Sequence, residues 1–439
     1  MTPTILRFDA APLADARGEA LAGRDAFEAA PADVVNDVAA ILARVRTDGD
    51  AALRAYAAEF DGVTLAALEV PRAERRAALD ALDPALRTAL EHAARNIERA
   101  HRAFLPQPAE IEVEPGVHVG RRPEPLARVG VYAPGGRAAY PSSVLMACVP
   151  ARVAGVREIV LCTPPARETG RPSAIVLAAA ELAGADRVFA LGGAGAIAAM
   201  AFGTASVPRV DRVVGPGNAW VAEAKRQVSA FVGIDSPAGP SELLVVGDAF
   251  ADPAAIAREL VAQAEHDPEA AALAVVVGDD TARRAAVALR TAAAACGRVE
   301  IVTRALAARG GVLAAATLED ALAFASAYAP EHLLLDVQDP ASALAAVRDA
   351  GAVFLGACSS VAFGDYVSGG NHVLPTAGFA RTLSGLSTLD FVRWTQWQHV
   401  TPEGAARLAP DCAALALAEG LPGHAAAALG AAGAEEVTR

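Results

Sequence analysis

Three short clusters hold side chains capable of chemistry. The first is GDYVSGGNHVLP, Gly364 to Pro375, where a carboxylate (Asp365) and an imidazole (His372) stand seven residues apart. Glycine is too frequent there for regular structure, so a loop is expected. It follows the apolar strand 352–356, which would put the polar pair beyond the carboxyl end of a strand, where open α/β sheets place ligands. The second is Gln263-Ala-Glu-His266, closing a predicted helix Pro253–Glu265. Spacing of i, i+3 puts Gln263 and His266 on one helix face. A lone histidine there packs or caps, but with Asp365 and His424 as partners the set of imidazole, carboxylate and amide oxygen suits Zn²⁺. Lacking cysteine, the set would also take Mn²⁺ or Co²⁺. The third cluster, Glu331-His332, opens the strand HLLLDV. Neighbours on an extended chain point to opposite sides, so the two are expected to do different jobs, His332 as a base of near-neutral pKa.

Three glycine turns could cradle phosphate: Gly215-Pro216-Gly217-Asn218 before a helix at 219–231, Asp235 to Ser241, and Gly135-Gly136 after VGVYAP. Each is also an ordinary strand–helix turn. Gly193 to Ala198 formally fits the dinucleotide fingerprint GxGxxA. It follows the third strand of its unit rather than the first, and in a chain so rich in Ala and Gly the match is taken as chance.

The elements that must position these residues change character along the chain. The 439 residues are enough for two to four domains at roughly 100–200 residues each. About the first 110 read as helical, with helices at 31–60 and 83–104; Asp83 and Pro84 supply an N-cap and N1 proline. His92 and His101 are read as lying on its solvated face. From Arg128 apolar runs alternate with alanine-rich helices: 129–133, 158–162, 187–191, 209–214, 242–247, 272–278, 299–302, 332–337 and 352–356. Near-continuous apolar strands of this kind indicate parallel sheets covered on both faces. Two sheets are expected, with a break near Pro237–Pro240, in two halves of similar rhythm. After Leu386 the strands are expected to stop, leaving a helical tail that packs on its own body or on another subunit.

The net charge of −13 and pI near 5.2, with no run of Lys or Arg, argue against nucleic acid or an anionic membrane as partner. The five cysteines, odd in number and without CxxC, suit buried thiols in a reducing compartment. No apolar stretch is long enough to span a bilayer, and MTPTILRFDA lacks the pattern of a signal peptide. A cytoplasmic protein is expected.

Taken together, the motifs VRTDGDAALRAYAAEFDG (45–62), VGVYAPGG (129–136), AFGTASVPRVDRVVGPGNAWVAEAKR (201–226), AGPSELLVV (238–246), QAEHDP (263–268), APEHL (329–333), GDYVSGGNHVLPT (364–376), SGLS (384–387) and EGLPGH (419–424) closely resemble the L-histidinol dehydrogenase family over nearly the whole chain. The resemblance implies an α/β protein of two incomplete Rossmann-like parallel-sheet domains with helical N- and C-terminal extensions. Its expected parts are an arm (1–28), a metal and substrate domain (29–131 with 241–386), a second α/β domain with the NAD contacts (132–240), and a C-terminal dimerisation tail (387–439). It implies oxidation of L-histidinol to L-histidine by two NAD⁺ through a bound aldehyde. Gln263, His266, Asp365 and His424 would hold Zn²⁺, which positions the substrate; Glu331 and His332 would accept protons. Ser241, His372 and Glu419 would contact substrate, as would His332 and the metal ligands. Tyr132, Gly195 and Asn218 would contact NAD. The implied homodimer shares its sites, with Glu419 and His424 supplied by the neighbouring subunit. In one departure, Gly195 stands where the family has a glutamine that touches NAD.

Two rival readings keep the same residues. A relative of this fold could oxidise another polar alcohol, such as a sulfonated diol. A metal hydrolase could use the His/Asp/Gln cluster with Glu331 as base, but it would have no use for the NAD motifs.

Overall fold

The computed structural model describes residues 5–22, 30–135, 139–236 and 239–433. Gly136 of the third turn and Pro237–Ala238 of the expected break lie outside the described residues. Fourteen strands are found among those described: β1 (Phe8–Pro12), β2 (Ala109–Glu114), β3 (Val117–Pro125), β4 (Arg128–Tyr132), β5 (Glu158–Thr163), β6 (Arg187–Ala190), β7 (Arg212–Val214), β8 (Gly233–Ile234), β9 (Glu242–Gly247), β10 (Ala271–Val277), β11 (Gly310–Ala315), β12 (His332–Asp336), β13 (Ala352–Leu355) and β14 (Val392–Val400). Chain contacts separate two compact units, 1–104 with 126–391, and 105–125 with 392–439.

The first unit holds two parallel sheets. One runs β1-β11-β10-β9-β12-β13 and the other β6-β5-β4-β7-β8. Numbered within its own half, each has the order 3-2-1-4-5, the first with β1 added at its edge beside β11. That is the doubly-wound order short of its sixth strand. The apolar runs make these strands because both faces are covered: β9, β11 and β12 are buried at every residue. Burying each of Leu243, Leu244, Val245 and Val246 fully is worth about 1.5–3 kcal/mol. On the second sheet, residues 68–70 add a short edge by hydrogen bonds Val70 N to Val188 O and Ala190 N to Leu68 O, each 2.8 Å. The helices Ala32–Asp48, Arg72–Asp80 and Pro84–Ala103 pack against helices of this second sheet, at 193–202 and 219–228, 174–183, and 141–153 respectively.

Several local expectations are corrected. The run 299–302 is not a strand but opens the helix Val299–Arg309, where Val302, Ala305 and Leu306 are buried at helical spacing. The strand comes later, as β11. His101 is not solvated: it is buried, its Nδ1 2.9 Å from the Ile97 carbonyl. Of the cysteines, Cys148 and Cys162 are buried, Cys296 is partly covered, and Cys358 and Cys412 are exposed. Asp83 does cap its helix, accepting from Ala85 N and Leu86 N.

The second unit contains an antiparallel sheet, β14-β3-β2, and the helices Pro402–Ala418 and Pro422–Ala431. The strand β14 lies where strands were expected to have ended.

Candidate active site

Glu331 precedes β12 and Ser241 precedes β9, its parallel neighbour; His332 pairs with Leu243 in the register. The pairing brings the starts of the two strands side by side. The Glu331 carboxylate oxygen Oε2 accepts from Ser241 Oγ and from Glu242 N, both at 2.7 Å. His332 is buried, with Nδ1 3.0 Å from the Glu242 carbonyl and 3.5 Å from Glu331 Oε2. A carbonyl only accepts, so Nδ1 carries the hydrogen and Nε2 is left to take a proton. That nitrogen faces Asp365, 3.7 Å from its Oδ1. Burial pulls the His332 pKa down, but the Glu331 charge and hydrogen bond, the Asp365 charge and the Glu242 carbonyl outweigh it and raise it to about 9. The near-neutral value expected from sequence is thus corrected upward, because two carboxylates face one imidazole.

Asp365 lies not in a loop but on the helical turn Val361–Tyr366. Its backbone carbonyl accepts from His372 Nδ1 at 2.9 Å, and His372 Nε2 is 3.3 Å from Ser143 Oγ. Burial holds the His372 pKa below the usual imidazole value, opposed by the Asp365 charge. Asn371 Nδ2 donates to the Met146 carbonyl at 2.7 Å. Residues 371–372 are thereby tied to the helix Pro141–Val153 that follows β4.

The place of this cluster also corrects the sequence reading. Glu331, His332, Ser241 and Glu242 are at the amino ends of their strands, as expected for Glu331 and His332, whereas Asp365 and His372, expected beyond a carboxyl end, are met at this amino edge. Asp365 reaches them because its helical turn follows β13 and leads the chain back. The helix Pro253–Ala264 likewise follows β9 and returns to the amino edge before β10. Gln263 and His266 are carried there with it. On that helix Glu259 Oε2 accepts from Val361 N, 3.2 Å away. Gln263 is one turn beyond Glu259 and Asp365 one turn beyond Val361. His266 is exposed, while Gln263 is buried and its Nε2 has no partner. Among the described residues no group of three His, Cys, Asp or Glu is gathered as a metal site. His424 and Glu419 belong to the second unit, Glu419 capping the end of its first helix and His424 in the first turn of its second.

The remaining candidates lie at the carboxyl edge of the five-stranded sheet. Tyr132 ends β4; it is buried, and its hydroxyl oxygen accepts from Gly193 N at 3.1 Å. Burial pushes its pKa up to about 12, against the Gly193 hydrogen bond. Asn218 caps the helix Ala219–Val228, its Oδ1 taking Trp220 N and Val221 N. Gly215 begins that turn at φ +118°, and a Cβ there would stand 2.1 Å from the Tyr132 carbonyl oxygen, so only glycine fits. Gly195 is buried in the helix Gly193–Phe202; a Cβ would meet Tyr56 and Leu53 at 3.6 and 3.7 Å. GxGxxA follows β6, at the sheet edge rather than at the central strand.

Sequence reasoning missed Glu242, Ser143 and the buried Lys225. The Lys225 ammonium pairs with Asp235 and donates to Gly215 O (3.1 Å) and Ser236 O (3.0 Å), while Asp235 Oδ2 accepts from Gly215 N. No local pattern marks these residues; their partners are brought close only by the sheet.

The fold and these two groups of residues define an α/β protein with a buried acid–base cluster at the edge of one sheet and glycine turns at helix N-termini along the edge of the other. Residues 25–429 match the histidinol dehydrogenase family model. The chain is 49% identical to the histidinol dehydrogenase of Halobacterium salinarum over 419 residues, 95% of this chain and 96% of that one. It is 46% identical to that of Methanothermobacter thermautotrophicus over 393 residues, 90% and 92% of the two chains. The crystal structure of histidinol dehydrogenase from Elizabethkingia anophelis superposes with a TM-score of 0.92 at 33% identity, covering 98% of this chain and 99% of that one. The chain belongs to the histidinol dehydrogenase family of oxidoreductases.

Proposed function

We propose that this chain oxidises L-histidinol to L-histidine in four electrons, with two NAD⁺ used in turn. The observation that carries the reading is the arrangement around His332: Nδ1 tied to a carbonyl, Nε2 left open, and a second acceptor, Glu331, alongside. His332 Nε2 takes the hydroxyl proton as the alcohol becomes an aldehyde. Glu331, fixed by Ser241 and Glu242 N, takes a proton from the water that adds to the aldehyde, and the hydrate then gives the acid. The dinucleotide, when bound, supplies the acceptor for the hydride lost in each oxidation.

Gln263, His266, Asp365 and His424 would hold Zn²⁺, whose chemistry when bound is to fix and polarise the substrate's nitrogen and oxygen groups. The donor set fits: the buried Gln263 amide has an unpartnered end, and exchange of its N and O assignment would turn an acceptor to that side. With its charge shared by the cation, Asp365 would hold the proton on His332 less strongly. His372 and Glu419 would orient substrate, His372 as a neutral imidazole. Tyr132 and Asn218 would border the dinucleotide, with Gly195 offering backbone alone.

A homodimer completes the reading, with Glu419 and His424 given by the partner's tail. The exposed Ile111 and Val113, on one face of β2, support it as apolar surface that a partner would cover. The test is to supply L-histidinol and NAD⁺ to zinc-loaded protein. Two NADH per histidinol, with histidine formed, is the expected result. No NADH from histidinol, with turnover of a sulfonated diol, would overturn it.

A further inference from the structure

Where the five-stranded sheet would receive a dinucleotide, one expected part is missing from the sheet itself. Folds of order 3-2-1-4-5 hold the adenosine ribose with a carboxylate at the end of the second strand. Here that strand, β5, ends in Thr163-Pro164-Pro165, with no acid. The helix Asp50–Tyr56 fills the gap from outside. It continues as a single π turn, Ala57–Asp61, and stops at Gly62 in the left-handed conformation. Such π turns are uncommon and concentrate at functional sites.

The turn delivers Asp61 to the end of β5. Its Oδ1 is 3.7 Å from the place a Cβ would take on Gly192, and that same place is 2.8 Å from Pro164 Cβ. The next residue, Gly193, is the one that donates to the Tyr132 hydroxyl. Among the described residues nothing donates a hydrogen bond to the Asp61 carboxylate. The exposed Arg167 stands close, its Nε 3.4 Å from the Asp61 backbone carbonyl.

We propose that Asp61 is the specificity residue of the dinucleotide site: it accepts from the adenosine ribose hydroxyls and repels a 2′-phosphate, so that NAD⁺ is used and NADP⁺ is not. The inference rests on the NAD⁺ reading above. Two hydroxyls supply the donors the carboxylate lacks. Partial burial raises its pKa to about 6 against the Arg167 charge, so it is an acceptor anion at neutral pH and above, with few partners of its own. With the carboxylate gone, Arg167 is the cation left to meet a 2′-phosphate.

The test is the equilibrium Kd for NAD⁺ and NADP⁺, titrated without histidinol, alongside their steady-state use at saturating histidinol, by wild type, Asp61→Asn, Asp61→Glu and Arg167→Glu. Asp61→Asn should raise Kd and KM for NAD⁺ about tenfold, the scale of one lost charge-assisted hydrogen bond, with kcat little changed. The preference for NAD⁺ over NADP⁺ should fall by about tenfold or more, and Asp61→Glu should keep most of it. Arg167→Glu should cut NADP⁺ use about fivefold further relative to NAD⁺. A folded Asp61→Asn enzyme with wild-type Kd and preference would overturn the proposal. If Asp61→Asn does not fold, an Arg167→Glu enzyme with unchanged preference would overturn it. Wild type that binds NAD⁺ without oxidising histidinol would bring down the functional reading alone, the Kd values still testing this proposal; wild type that does not bind NAD⁺ would bring down both.

Discussion

The two parallel sheets of the first unit share one strand order, and their candidate residues stand at opposite ends of it. On the five-stranded sheet the candidate residues stand at the carboxyl edge, as the rule for doubly-wound folds has it. They are mostly backbone: the turns at Gly192–Gly193 and Gly215–Asn218, a phenol already bonded to one of them, and a helix cap. On the six-stranded sheet the candidates stand at the amino edge, and they are ionisable side chains: Glu331, His332, Asp365 and His372. Ser143 joins the two edges through His372. An edge of turns gives shape and N–H donors to a ligand that is held; an edge of paired acids and imidazoles moves protons. Fold order alone therefore does not tell which end of a sheet works.

This contrast can be broken at several points. The largest effect concerns the source of the tail residues. His424→Ala and Glu331→Ala proteins should each be inactive, and verified heterodimers of the two should regain about half the wild-type rate, since one of two shared sites is then intact. Heterodimers without activity would place all the residues of a site in one chain.

Next is the pair beneath the binding edge. Lys225→Met leaves Asp235 buried without its cation, which should lower stability by about 3–5 kcal/mol and be read as a fall in melting temperature. An unchanged melting temperature would show that the Gly215 turn does not depend on Lys225.

A smaller effect concerns pH. The Asp61 carboxyl is raised from 3.8 to about 6 by partial burial. An acid raised on folding favours the protonated folded state, so wild-type stability should fall, relative to Asp61→Asn, as pH rises from about 4 to about 6, and stay level above. Parallel denaturation curves across that range would refute the raised value.

The smallest is Gly195→Ala. A Cβ there meets only ordinary contacts, so relief of helical glycine should add about 0.5–1 kcal/mol. A loss of stability would mean that the Tyr56 and Leu53 side chains cannot make room.

The sequence exposes some of this and hides the rest for definite reasons. The strands β9, β10 and β12 are legible because both faces are buried and every residue is apolar or nearly so. β2 and β14 are largely exposed, and β14 reads RWTQWQH, so no buried run announces them. The clusters around Glu331, Gln263 and Asp365 stand out by residue type. The edge is legible for Glu331 and His332, which open a strand, but not for Gln263 and Asp365, because spacing along the chain says nothing of where a helix turns the chain back. Ser143, Glu242 and Asp61 are unremarkable in sequence and gain meaning only from neighbours more than 80 residues away, such as His372 for Ser143 and Glu331 for Glu242.

The division of labour itself is tested most directly on one preparation of His332→Asn, by measuring NAD⁺ affinity in an equilibrium titration and histidinol turnover side by side. The account predicts a Kd for NAD⁺ within about twofold of wild type and a kcat lower by about a hundredfold or more. Loss of affinity and turnover together would contradict it, since the proton edge and the binding edge would then be one site.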